Sequence, residues 1–163
     1  MPGLWSQSGV PHKGWTCIGV EDLGAPDEHC EMCGTQEIRY VHHMAHAEYY
    51  RDISAGCICA ENMEDDYIGP RKRENQLRNV AARRRRWLSR IWKISSKGNH
   101  YLKTDGMHIV VYSISGGLWK ARITDLALEE SKESRRNYPE RDLAKLAAFD
   151  AMIFLKNNRG WGV

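Results

Sequence analysis

The sequence predicts an α+β fold, and three observations carry that expectation. Two cysteines stand as Cys30-Glu31-Met32-Cys33, with Cys57-Ile58-Cys59 beyond a strand-like pair of segments. A long arginine-rich stretch with apolar residues at helical spacing follows. The C-terminal third alternates strand-like runs with tight turns and closes on a helical pattern. The predicted architecture is a zinc knuckle with a β-hairpin, a long basic amphipathic helix, and a small three-stranded antiparallel sheet packed on one C-terminal helix.

Four segments divide the 163 residues. Residues 1–14, rich in Gly, Pro and Ser, read as a flexible N-terminal arm. Residues 15–68 hold the cysteines and form the expected zinc-binding module. Ile38–Met44 reads as a strand and Asp52–Cys57 as its hairpin partner, while Cys59 starts a short helix that Gly69-Pro70 ends. Cys17 lies apart from both cysteine pairs and reads as a buried strand residue after Trp15. Residues 69–97 form the basic helix, centred on 71–94. Its apolar face is Leu77, Val80, Ala81, Leu88, Ile91 and Trp92. Arg84 falls inside that stripe, so it must snorkel outward or meet a carboxylate.

In the sheet-plus-helix region, 98–163, His108–Ile114 and Leu118–Asp125 are strands joined at Ser115-Gly116-Gly117. Thr104-Asp105-Gly106 is a second turn. Asn137-Tyr138-Pro139-Glu140 opens a helix with Leu143, Leu146, Ala147, Ile153 and Phe154 on its apolar face.

A charged fraction of 28% and apolar runs far too short for a bilayer argue for a soluble chain with no membrane partner. The first residues lack the pattern of a signal peptide, so a cytoplasmic location is expected. In a reducing compartment clustered cysteines read as metal ligands before disulfides, and five is an odd number. The net charge of +3 is unevenly spread. Residues 1–66 carry three basic and twelve acidic side chains, residues 67–97 eleven basic and one acidic, and the remainder ten basic and eight acidic. That block suggests either an intramolecular acid–base contact or a face for a polyanion.

A structural zinc site needs four N or S ligands, and a Cys-x-x-Cys turn supplies two from one bend. The second pair is sought among Cys57, Cys59, His43 and His46. If a strand runs through Cys57 and Cys59 both ligate; if Cys59 starts a helix, a histidine completes the set. The segments Cys30-x-x-Cys33-Gly34, Ile38-Arg39-Tyr40-Val41-His42-His43-Met44-Ala45-His46 and Gly56-Cys57-Ile58-Cys59-Ala60 resemble bacterial and phage zinc modules of treble-clef type. The resemblance covers about a quarter of the chain. It implies Cys30, Cys33 and Cys59 as ligands of Zn2+ with His46 as the fourth, and Cys57 and His43 as rivals for that place.

Arg83-Arg84-Arg85-Arg86-Trp87 is the strongest hint of a partner, because arginine forks bind phosphate and neighbouring rings can stack. Gly117-Leu118-Trp119-Lys120-Ala121-Arg122-Ile123, followed by Ala144-Lys145-Leu146-Ala147-Ala148-Phe149-Asp150, resembles the AP2-like, integrase-type DNA-binding domain. It implies a three-stranded sheet that reads DNA, with Lys120 and Arg122 pointing outward. The segment between Asp125 and Tyr138 reads as a Glu-rich loop where that family has a strand. A double-stranded-RNA-binding fold shares the same strand–helix order. The expected nucleic-acid contacts are Arg83, Arg85, Arg86, Arg90, Lys93, Lys120 and Arg122.

The leading expectation is a small, non-enzymatic, zinc-stabilised nucleic-acid-binding protein, with DNA ahead of RNA, of the kind phages and mobile elements carry. Two alternatives stand beside it. One is a protein-interaction module, such as an inhibitor of a host enzyme. The other is a metal-dependent nuclease built on His42, His43, His46 and Glu48.

Overall fold

The computed structural model describes residues 2–162 and is mixed α+β, with its sheets antiparallel throughout. Two compact units divide the chain, the first ending at Asn79 and the second opening at Val80. This division does not follow the four predicted segments, because it falls inside one helix.

The first unit is organised on a three-stranded sheet of order β1-β4-β5: β1 (Thr16–Asp22), β4 (Tyr40–Ala45) and β5 (Ile53–Ala55). The predicted hairpin is the β4–β5 pair, with His42 opposite Ala55 and Met44 opposite Ile53. A small second hairpin joins β2 (Glu28–His29) to β3 (Glu37–Ile38) and carries the Cys30–Cys33 turn at its tip. Helix α1 (Cys57–Glu64) follows. It stops at Asp65, whose left-handed backbone (φ 54°) an aspartate tolerates better than most side chains. Gly69-Pro70 was expected to end this helix and instead opens the next, where a proline's missing N–H costs nothing. The carboxylate of Asp66 accepts from the N–H groups of Ile68 and Gly69 at 2.9 Å each. Trp15, Met32, Val41, Met44, Ile53, Ala60 and Met63 form the core.

The expected flexible arm is packed. Leu4 and Trp5 donate backbone N–H groups to the carbonyls of Glu31 and Met32 at 3.0 Å, and Leu4 is buried. A glycine is required at position 3, since a Cβ there would fall on the backbone of Met32 and Cys33. Composition suggested a loose segment, but its one leucine and Trp5 supply apolar surface that the module buries.

Helix α2 (Gly69–Arg86) is shorter than the predicted 71–94. Beyond Arg86 the chain turns through tight bonds, such as Ser89 N–H to the Arg86 carbonyl. Leu88 and Ile91 are exposed, so the apolar stripe does not continue past the arginines. Trp87 instead drops into the second unit, where its indole N–H donates to the Lys145 carbonyl at 2.7 Å.

The second unit has five strands where three were expected, in the order β10-β9-β8-β7-β6: β6 (Lys93–Ile94), β7 (His100–Thr104), β8 (Met107–Ile114), β9 (Leu118–Asp125) and β10 (Glu130–Glu133). Strand β10 occupies the supposed Glu-rich loop. All four of its residues are exposed, so no apolar alternation marked it. Both predicted turns are present, at 104–107 and 115–117. Leu102, Met107, Ile109, Val111, Ala121 and Ile123 face helix α3 (Arg141–Arg159). The buried stripe of α3 is Ala144, Lys145, Ala148, Phe149, Met152 and Leu155; of the predicted stripe, Leu146 and Ile153 pack against this core partly buried, while Leu143 and Phe154 are exposed. Alanines on the inner stripe let the helix sit close to the sheet, and packing distance outweighed hydrophobic bulk.

Candidate functional site

The Cys30–Cys33 turn is set by the β2–β3 hairpin and closed by a bond from Gly34 N–H to the Cys30 carbonyl at 2.7 Å. Glu31 pins it to β5, accepting from Ser54 N–H at 2.6 Å and from Arg51 at 2.8 Å. Cys59 enters from the first turn of α1. The helix begins at Gly56, where a Cβ would crowd Ile38 at 3.0 Å and Gln36 at 3.1 Å. The result brings the sulfurs of Cys30, Cys33 and Cys59 within 4.8 Å of one another.

The surroundings of this cluster favour thiolates. Gly56 N–H donates to Cys30 Sγ at 3.3 Å, Trp5 Nε1–H to Cys59 Sγ at 3.4 Å, and the Thr35 hydroxyl to Cys33 Sγ at 3.6 Å. Cys59 sits at a helix N-terminus, where the partial positive charge favours anions. A hydrogen bond from the Cys59 thiol, set against burial, holds Cys30 well below the ordinary thiol range, while that same bond and burial push Cys59 up. The two sulfurs thus share a hydrogen between them. A soft cation that displaces the shared proton would satisfy all three sulfurs, so the residues fit a thiolate-bound metal ion.

No fourth Cys, His, Asp or Glu joins these three among the described residues. His46, the predicted fourth ligand, is engaged elsewhere. Its Nε2 bonds the Lys13 carbonyl at 2.9 Å, its Nδ1 accepts from Glu48 N–H at 2.9 Å, and its ring packs edge-on to Trp15. Both ring nitrogens are thus occupied by backbone groups. His43 points the other way from His42, as neighbours on a strand must, and pairs with Glu21 at 3.1 Å. The His42, His43, His46 and Glu48 set expected of a nuclease therefore does not converge.

Cys57 does not reach the cluster either. Two residues along a helix is about 200°, so Cys57 and Cys59 leave opposite sides of α1. Cys57 instead meets His42 and Glu74. Burial, with the carboxylates of Glu74 and Glu61, pushes its thiol up to about 12. Burial also lowers the pKa of His42. Cys17 lies on β1, half-buried, with its thiol donating to the Gly19 carbonyl at 3.3 Å.

The basic residues divide into paired and unpaired. Arg71 and Arg73 reach back to Glu61 and Glu64, realising the acid–base contact between the charge blocks. Arg84 finds its carboxylate in Asp150, at 2.8 and 3.0 Å. Arg83, expected on nucleic acid, forks onto Asp105 at 2.9 and 3.1 Å and so holds the β7–β8 turn. Arg122 pairs with Glu133 at 3.2 Å. Arg90 donates to the Thr104 hydroxyl at 3.0 Å and lies over the Trp87 ring. Arg85, Arg86 and Lys93 are exposed without an ion pair among the described residues.

The sheet face turned away from α3 carries the expected Lys93, Lys120 and Arg122 and adds Tyr101, Lys103, His108 and Tyr112, which the sequence did not single out. Strand register places Lys93 opposite Tyr101, Lys103 opposite His108, Tyr112 opposite Lys120 and Val110 opposite Arg122. Tyr101 and His108 meet edge to face at 5.5 Å, and Arg122 lies over the Tyr112 ring. Lys97, Tyr101, Lys103 and His108 line a shallow depression of about 690 Å³ on this face. The alternation of Tyr101 and Lys103 with buried Leu102 was the available signal.

The chain matches no family model, no curated protein and no solved structure. No described helix is long and apolar enough to cross a membrane.

Proposed function

We propose that this chain is a small nucleic-acid-binding protein whose first unit is stabilised by zinc held on Cys30, Cys33 and Cys59. The observation that carries the binding reading is the sheet face turned away from α3, where Lys93, Lys103 and Lys120 alternate with Tyr101, His108 and Tyr112, while Arg122 there is held by Glu133. Cations spaced along strands neutralise phosphates, and rings between them offer bases a surface to stack on. DNA is the expected target ahead of RNA. Arg85, Arg86 and Arg90 supply further phosphate contacts, whereas Arg83 acts as a structural fork.

Zinc suits three clustered thiolates because it is borderline-soft and binds sulfur at about 2.3 Å, which places tetrahedral sulfurs about 3.8 Å apart. Sulfurs already within 4.8 Å need only a small contraction. The metal's contribution is to hold the Cys30–Cys33 turn against α1.

Anisotropy titration of the full chain with labelled single-stranded and duplex DNA and RNA, at two salt concentrations, tests the reading. Binding at low salt that weakens steeply as salt rises is expected. No binding to any of the four at low salt overturns it.

A further inference from the structure

We propose that His42, Cys57 and Glu74 form a second divalent-metal site, separate from the three-cysteine cluster, with a fourth position open to solvent for water or a small anion. The ligand atoms come from three elements of the first unit: β4, the first residue of α1, and α2. They lie within 4.8 Å of one another.

The imidazole of His42 is wholly buried. Its Nδ1 has no hydrogen-bond partner, and its Nε2 has only Glu74 at 3.3 Å. The Glu74-facing Nε2 of this buried ring has no other partner, and a metal held between it and the Glu74 carboxylate would satisfy both. A nitrogen, a sulfur and a carboxylate oxygen form a donor set suited to zinc or cobalt. One thiolate and one carboxylate balance the charge of a divalent ion, and the adjacent Glu61, which accepts from the Cys57 thiol at 3.7 Å, is itself paired with Arg71. The thiol proton of Cys57 leaves to solvent as the metal–sulfur bond forms.

The carboxylate is already oriented. Arg78 takes Glu74 Oε1 at 2.6 Å, leaving Oε2 turned toward His42. Ligand carboxylates and histidines are commonly fixed by such outer partners. Cys57 and Glu74 also line a cleft of about 340 Å³, with Gln36, Tyr40 and Arg78 around it. That cleft is the entry path and leaves room for an exchangeable fourth ligand. The 200° between Cys57 and Cys59 on α1 keeps the two sulfurs in different sets.

Cobalt titration of the reduced full chain, with metal analysis, decides the matter. The wild type is expected to bind two equivalents. Cys57→Ser and Glu74→Gln are each expected to bind one, with unchanged circular dichroism and the larger share of the thiolate charge-transfer absorption retained. Cys30→Ser is expected to lose that larger share and keep the weaker band. If the wild type binds a single equivalent that Cys57→Ser removes and Cys30→Ser does not, this site stands and the three-cysteine reading falls. If Cys57→Ser and Glu74→Gln both hold as much metal as the wild type, the second site is overturned.

Discussion

The indole N–H of Trp5 points at the sulfur of Cys59, 3.4 Å away, across 54 residues of sequence. This bond makes the N-terminal segment part of the thiolate cluster. Removing an outer hydrogen bond to a metal ligand commonly weakens metal binding by about tenfold or more. Trp5→Phe keeps the ring and loses the donor. It is expected to keep the fold and, if the cluster holds the proposed metal, to surrender it to a competing chelator at about tenfold lower chelator concentration. An unchanged competition curve would remove Trp5 from the centre.

Gly3→Ala is expected to act at the same place by a different route. Its Cβ has no room against Met32 and Cys33, so the segment must lift and Leu4 must come out of the core. Exposing a leucine costs about 2 kcal/mol. The change should lower the thermal midpoint and increase protease cleavage near the N-terminus.

Asp105 is expected to contribute to acid stability, alongside other carboxylates held below their ordinary range such as Asp22 and Asp125. Burial works against its charge, but Arg83, Lys156 and Thr104 all bond the carboxylate and outweigh burial, holding it well below the ordinary range. A depressed folded-state pKa contributes stability that is complete above the unfolded value of about 3.9 and is lost as pH falls below it. Asp105→Asn is expected to destabilise the protein by about 2 kcal/mol at neutral pH. The difference from wild type should shrink below about pH 4. Denaturant midpoints measured from pH 7 to pH 3 check both parts, and a gap that stays constant would contradict them.

On the open sheet face, Tyr101→Ala is expected to weaken single-stranded binding by about tenfold, the value of roughly one stacked base. Lys120→Ala should weaken binding to all sequences alike and reduce the salt slope by about 1. Neither side chain is buried, so folding should be unchanged. If Tyr101→Ala binds as the wild type does, the aromatic residues are not stacking surfaces.

Much of the fold was readable wherever one local rule governed. The turns at 104–107 and 115–117 and the strands between them follow from glycine placement and period-2 alternation. The pairing of Cys30 with Cys33 was legible because a Cys-x-x-Cys turn leaves little choice, whereas Cys59 was implied by the resemblance to treble-clef modules and not by spacing. What was not legible depended on which side of an element faces inward. Cys57 was ambiguous until the segment proved helical, and His42 could be told from His43 only once the strand's inner face was known. His46 carried no mark that its nitrogens serve Lys13 and Glu48. Glu74, lone acid in a basic block, carried no mark of a site in the sequence, and tertiary packing sets it beside His42.

The short turn that holds Cys30 and Cys33 is joined to Cys59 by a long intervening stretch of chain. A metal bridging them acts as a reversible cross-link, closing a loop of more than twenty residues. The loop-closure entropy removed from the unfolded ensemble grows only logarithmically with that length and amounts to about 3.5 kcal/mol. Metal supply would therefore set the width of the unfolded ensemble as well as the stiffness of the native state. A cell short of metal would meet a first unit that samples open forms more often, without any change in its sequence.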